Sequence, residues 1–269
     1  MEEVTALGLL DDEAIELDAA ALQLAALDHP KVDLQPYHDL LGDAAGRLVD
    51  SGASARRPAE QADALAALFG GELGFTGDRK SYDDPANADL IQVIDRRRGL
   101  PVSLSILYVA AARRVGWAAE VLNTPGHVLI RVGPETEPLL LDPFNDGAAV
   151  GPETLARLLA SALGGRTAPA AEHLAPMSNR AVLVRLLLNQ ATRAEAAGDS
   201  ARALTLFERI TAVAPGDSHG WWERARLQLV GHDVAGARAS LSAMLEVTRE
   251  PGLRAHVLAA LDALSGAGG

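Results

Sequence analysis

The stretch from Pro101 to Ala112, Pro-Val-Ser-Leu-Ser-Ile-Leu-Tyr-Val-Ala-Ala-Ala, constrains the fold more than any other part of the chain. Its apolar residues surround a helical axis instead of keeping to one stripe, so a helix here must be covered on most sides. Pro101 suits the first helical position, where a missing N–H costs no hydrogen bond. Arg113 and Arg114 fall at the negative end of the helix dipole, and Gly116 supplies a stop. The run is shorter than the ~20 residues a membrane helix needs, so the cover must come from the rest of the chain.

Two kinds of cover flank it. From residue 3 to about 75 the pattern is helical, with stripes at Ala20, Leu22, Leu24 and Leu27, at Leu40, Leu41, Ala44 and Leu48, and at Ala62, Leu65 and Leu68. Gly74 to Asn87 is polar and reads as a loop, after which Leu90, Ile91 and Ile94 restore helical spacing. Beyond Gly116 the period becomes that of strands: Ala118–Leu122, Val128–Val132 and Leu139–Leu141, separated by turn residues. Asp142 to Gly147 leaves the sheet as a turn, and Pro152 to Leu163 is a further helix. The expected fold class is therefore α+β, mostly helical, with a small antiparallel sheet against the Pro101 helix.

Residues 166–178 lack a pattern and are expected to link a domain of residues 1–165 to one of residues 179–269. The latter is helical and repeats. Ala203 and Ala237 stand 34 residues apart, as do Phe207 and Leu241, and Ala191 and Ala225. A 34-residue period of paired helices is the tetratricopeptide signature, and Gly198, Pro215 and Trp221 fill further positions of that pattern. Such repeats hold extended peptides or partner helices on concave surfaces. Trp221 and Trp222 are the candidate partner-binding residues, one packing between helices and the other open to anchor a peptide.

Charge and cysteine content remove several classes. Lys+Arg is 24 against Asp+Glu 36, a net charge of −12, which argues against a surface dedicated to nucleic acid or anionic lipid. With no cysteine, thiolate metal sites, disulfides and cysteine nucleophiles are excluded, and a reducing cytoplasm is the expected compartment. The acidic start Met1-Glu2-Glu3 is unlike a signal peptide. The histidines show no metal-ligand spacing, so no metal or cofactor is expected. Arg96-Arg97-Arg98 reads as a run paired with Asp83, Asp84, Asp89 and Asp95.

His127 at the start of one strand and Asp142 at the end of the next are the residues that could carry chemistry. A hairpin turning over Gly133–Thr136 sets Arg131 opposite Pro138 and, in the same register, His127 opposite Asp142. An opposed carboxylate fixes the tautomer of an imidazole and stabilises its protonated form. Ser103 and Ser105, on the buried helix, are the candidate nucleophiles. At ~100° per residue Ser103 points away from the Pro101 stripe, and Ser105 returns to it.

Tyr82-Asp83-Asp84-Pro85-Ala86-Asn87, the string from Arg96 to Leu104, Pro125-Gly126-His127 and Leu141-Asp142-Pro143-Phe144-Asn145 together resemble the SirB-type branch of the transglutaminase-like, papain-related superfamily. The resemblance implies a helix–strand–strand core carrying Cys, His and Asp, and a tetratricopeptide-like C-terminal region, so it spans nearly the whole chain. It also implies a cysteine two residues after a glycine at the helix mouth; here that position is Pro101, which cannot be a nucleophile. Two functions stay open: a cytoplasmic interaction or regulatory protein on a degenerate domain without turnover, and a serine-dependent amide or ester acyl hydrolase or transferase using Ser103 or Ser105 with His127 and Asp142. The sequence leaves the oligomeric state, substrate and partner undetermined.

Overall fold

The computed structural model describes residues 2–51, 57–164 and 171–266, which form two compact units. One unit comprises residues 12–182; the other joins the residues up to 11 to those from 183 onward. Among the described residues no helix is long and apolar enough to cross a membrane.

The larger unit is built around the helix α6 (Pro101–Arg114), in which every residue from Pro101 to Ala112 is buried. Pro101 occupies its first turn. Its end is closed by Trp117 N–H on the Ala112 carbonyl and Gly116 N–H on that of Arg113, with Gly116 at φ +78. That is the left-handed glycine stop expected after a helix of this kind. Burying Leu104, Ile106 and Leu107 completely stabilises the unit by about 1.5–3 kcal/mol each. Helices α2 (Leu17–Ala26), α3 (Gln35–Asp50) and α5 (Leu90–Arg96) pack on one side of α6, and a sheet packs on another.

That sheet has four antiparallel strands in chain order: β3 (Ala119–Leu122), β4 (Leu129–Val132), β5 (Leu139–Asp142) and β6 (Ala148–Ala149). The β4–β5 register pairs Ile130 with Leu141, Arg131 with Leu140 and Val132 with Leu139. Arg131 therefore does not face Pro138, as the shorter turn required. Pro138 has no N–H for a ladder, so the loop extends over residues 133–138 and closes with Glu137 N–H on the Pro134 carbonyl at 3.0 Å. On the outer edge of β3, Met177 N–H reaches the Val121 carbonyl at 2.8 Å and Asn123 N–H reaches that of Ala175 at 3.0 Å.

Two very short strands, β1 (Thr76–Gly77) and β2 (Arg98–Gly99), pair in parallel just before α6. Helix α4 (Pro58–Ala66) continues into a wider turn over Ala67–Glu72, and α7 (Pro152–Ala162) follows the sheet. The start of α8 (Asn179–Ala196) is capped from far away in sequence: Asp12 accepts from Asn179 N–H at 2.8 Å and from Arg180 N–H at 2.9 Å.

In the second unit α9 (Ser200–Val213), α10 (Ser218–Val230), α11 (Val234–Val247) and α12 (Pro251–Gly266) follow one another through short turns. Asp199, Asp217 and Asp233 cap the first three through their carboxylates. The left-handed positions Gly198 and His232, like the caps Asp199 and Asp233, stand 34 residues apart. Ala203, Ala237, Phe207 and Leu241 are all buried. Helix α1 (Glu2–Leu9) packs on α9, where a Cβ on Gly8 would overlap the Ala212 carbonyl oxygen.

Candidate functional site

Local backbone constraints shape the N-terminus of α6, the helix that carries both serines. Gly99 ends β2 where a side chain would crowd Ser103 Oγ and Val93, so the chain enters the helix tightly packed. Ser103 Oγ donates to the carbonyls of Asn87 at 2.8 Å and Leu100 at 3.0 Å. Ser105 Oγ donates to the Pro101 carbonyl at 2.7 Å, one turn back. Both serines have 0% exposure.

His127 does not begin a strand. It follows Gly126 (φ +69) in a turn two residues before β4, its N–H on the Thr124 carbonyl at 3.2 Å. Asp142 is the last residue of β5 and is 3% exposed. Continuing the observed register sets Asp142 across from Leu129, so His127 lies diagonal to it instead of opposite. His127 Nε2 is nevertheless 2.9 Å from Asp142 Oδ2, because the imidazole spans the extra step. The other oxygen, Oδ1, accepts from the N–H groups of Phe144 at 3.0 Å and Asn145 at 3.3 Å. Asn145 Nδ2 donates to Oδ2 as well.

Burial pushes the Asp142 carboxyl upward, but the hydrogen bond and charge of His127 and the bonds from Asn145 outweigh it and hold the group below its ordinary value. The side chain is therefore an ionised acceptor near neutral pH. Tyr108, buried on α6, is stacked on Phe69 at 4.7 Å. Burial pushes its phenol well up, with Asp146 and Asp142 acting in the same direction, so it stays neutral.

An aromatic series leads outward. The Phe144 ring meets His127 edge-on at 6.1 Å, and Tyr82, 44% exposed, meets Phe144 edge-on at 5.8 Å. The Arg79 guanidinium lies 5.5 Å from the Phe144 centroid and donates to Asn145 Oδ1. Asn145 stands in the Leu141–Asn145 motif, whereas no sequence signal marks Arg79, whose partner lies 66 residues away.

The arginine run divides. Arg96 pairs with Asp84 at 3.4 Å and also with Asp78 at 3.1 Å, a partner outside the expected set. Asp78 is held below its ordinary value, first by Ser81 N–H, against the upward push of burial, and then by Lys80 N–H, Asn87 and Arg96. Asp89 instead binds His29 at 2.7 Å and caps α5, and Asp95 accepts from Tyr37. Arg97 lies over the Phe75 ring at 4.6 Å. Among the described residues no three His, Cys, Asp or Glu side chains converge as metal donors.

Trp221 and Trp222 are both half-buried against the cluster of Ala225, Ala237, Leu241, Met244 and Val257. Trp221 Nε1 donates to the Pro215 carbonyl at 2.8 Å, and Trp222 packs on His256 at 4.8 Å.

Comparison with known proteins follows the same outline. The sequence profile of the Transglutaminase-like superfamily matches residues 22–188. A UPF0162 protein of Xylella fastidiosa (strain 9a5c) is 32% identical over 247 residues, covering 90% of this chain and 87% of that protein. A UPF0162 protein of Vibrio cholerae is 32% identical over 182 residues, 66% of each chain. F-box only protein 21 of Mus musculus is 37% identical over 83 residues, which is 31% of this chain and 13% of that protein. With most of its length matched by the profile, and 90% of it by a relative 32% identical, the chain belongs to the UPF0162 family within the transglutaminase-like superfamily.

Proposed function

We propose that the chain is a protein-interaction or regulatory protein of the SirB-type branch, whose transglutaminase-like domain binds without covalent turnover. The observation that carries this reading is the use made of the two serine hydroxyls. Each is fully buried and donates its proton to a main-chain carbonyl of the α6 entrance. A serine nucleophile instead needs a base within hydrogen-bond reach and an approach for the acyl group. Pro101 at the first turn of the helix and a chain free of cysteine point the same way. The His127–Asp142 pair then serves as a fixed polar contact at the inner end of the aromatic series.

Two further features support an interaction role. The matched part of F-box only protein 21 is a small fraction of that protein, consistent with a domain reused as a module. The 34-residue spacing of caps and left-handed residues supports tetratricopeptide-like repeats, with a protein or peptide as the partner in the cytoplasm.

Hydrolysis of an activated ester, compared between wild type and a Ser103→Ala/Ser105→Ala double variant, tests the absence of turnover. Equal rates at the buffer background are expected; a wild-type rate above background that the double variant loses rejects it in favour of the serine acyl enzyme. Cross-linking of the full chain in its producing cells tests the partner role. Links to another protein from residues 183–266 are expected, and links confined to residues 12–182 reject the repeat assignment.

A further inference from the structure

We propose that Arg79 is a positioning residue for the His127–Asp142 pair, acting through the side-chain amide of Asn145. Asn145 stands between two groups of opposite hydrogen-bonding character. A guanidinium has only donors and a carboxylate only acceptors. The amide therefore has one satisfied orientation, with Oδ1 toward Arg79 and Nδ2 toward Asp142. Reversing it would set N–H against N–H and oxygen against oxygen at once.

The amide in turn selects the carboxylate rotamer. Oδ1 of Asp142 is held by the N–H groups of Phe144 and Asn145, and Oδ2 is the oxygen shared by Asn145 Nδ2 and His127 Nε2. Arg79 is itself placed by the backbone. Two residues earlier, Gly77 lies so close to Phe144 that a Cβ would overlap its ring. The guanidinium then lies over that same ring and reaches Asn145. An exposed cation is thus linked through one amide to a carboxylate that is 3% exposed. This arrangement holds whether or not the site turns over a substrate.

The test is nitrogen and carbon NMR of His127 and Asp142 in the full-length protein. Wild type should show one set of His127 ring-nitrogen shifts, with Asp142 titrating below the ordinary carboxylate range. Arg79→Met keeps the apolar stem on Phe144 and removes the donors. It should move the His127 ring-nitrogen shifts and raise the Asp142 midpoint by roughly 0.5–1 pH unit, with the unfolding temperature little changed. Arg79→Lys should restore part of both signals, since an ammonium donates but lacks the planar fork. Asn145→Ala should reproduce the loss, and Arg79→Met should then add nothing further to it. Wild-type His127 shifts and Asp142 titration in Arg79→Met, or additive effects in the double variant, would overturn the proposal.

Discussion

At Asp142 one carboxylate oxygen serves the backbone and the other serves His127. Asp142→Asn keeps the first acceptor but turns an N–H₂ toward two donors, so a loss of about 1–3 kcal/mol is expected in urea unfolding. The pH dependence has a definite sign. The folded carboxyl is held below its unfolded value, so its contribution is complete above about pH 4 and is lost as pH falls through the folded pKa. The stability curve of Asp142→Asn should accordingly be flatter than wild type on the acid side of pH 4. Ser103 shows the contrast: its hydroxyl joins Asn87 to the helix entrance, so Ser103→Ala should cost about 1 kcal/mol and leave His127 spectra unchanged. The His and Asp were legible because their partners were close in sequence order and chemically matched. Arg79 was not, because its acceptor lies 66 residues away and its own segment reads as a featureless polar loop.

Elements were legible where they were long. The buried helix α6 follows from its all-round apolar pattern, and its glycine stop from Gly116. Strands β1, β2 and β6 have two residues each, too few to show any period. The β4–β5 hairpin departs from the register expected of a shorter turn. Proline at 138 lengthens the loop and shifts the register by two residues. A shift of two preserves which face each side chain takes, whereas a shift of one would have parted His127 from Asp142. Among the C-terminal helices, His232 occupies a left-handed position 34 residues after that of Gly198. His232→Gly should relieve that strain and stabilise the C-terminal unit by about 0.5–1 kcal/mol, read as a higher denaturant midpoint.

On the scale of the whole molecule, sequence order and spatial grouping part company at the N-terminus. The first helix reads like a neighbour of the helices that follow it, yet it packs on α9 in the unit of residues 183 onward. Gly8 makes that contact possible, since any Cβ there meets the Ala212 carbonyl. Nothing in an apolar pattern tells a helix which of two cores it will join. Gly8→Val should therefore lower the unfolding temperature reported by Trp221 and Trp222 while leaving that of Trp117, in the other unit, near its wild-type value.

The central claim is that Ser103 and Ser105, bonded to main-chain carbonyls, are not activated by the His127–Asp142 pair. Intact-mass spectrometry after prolonged exposure to excess fluorophosphonate addresses it directly, because the reagent marks any serine activated by a base. The account predicts an unchanged mass. A single adduct mapped to Ser103 or Ser105, and absent in His127→Ala, would contradict it.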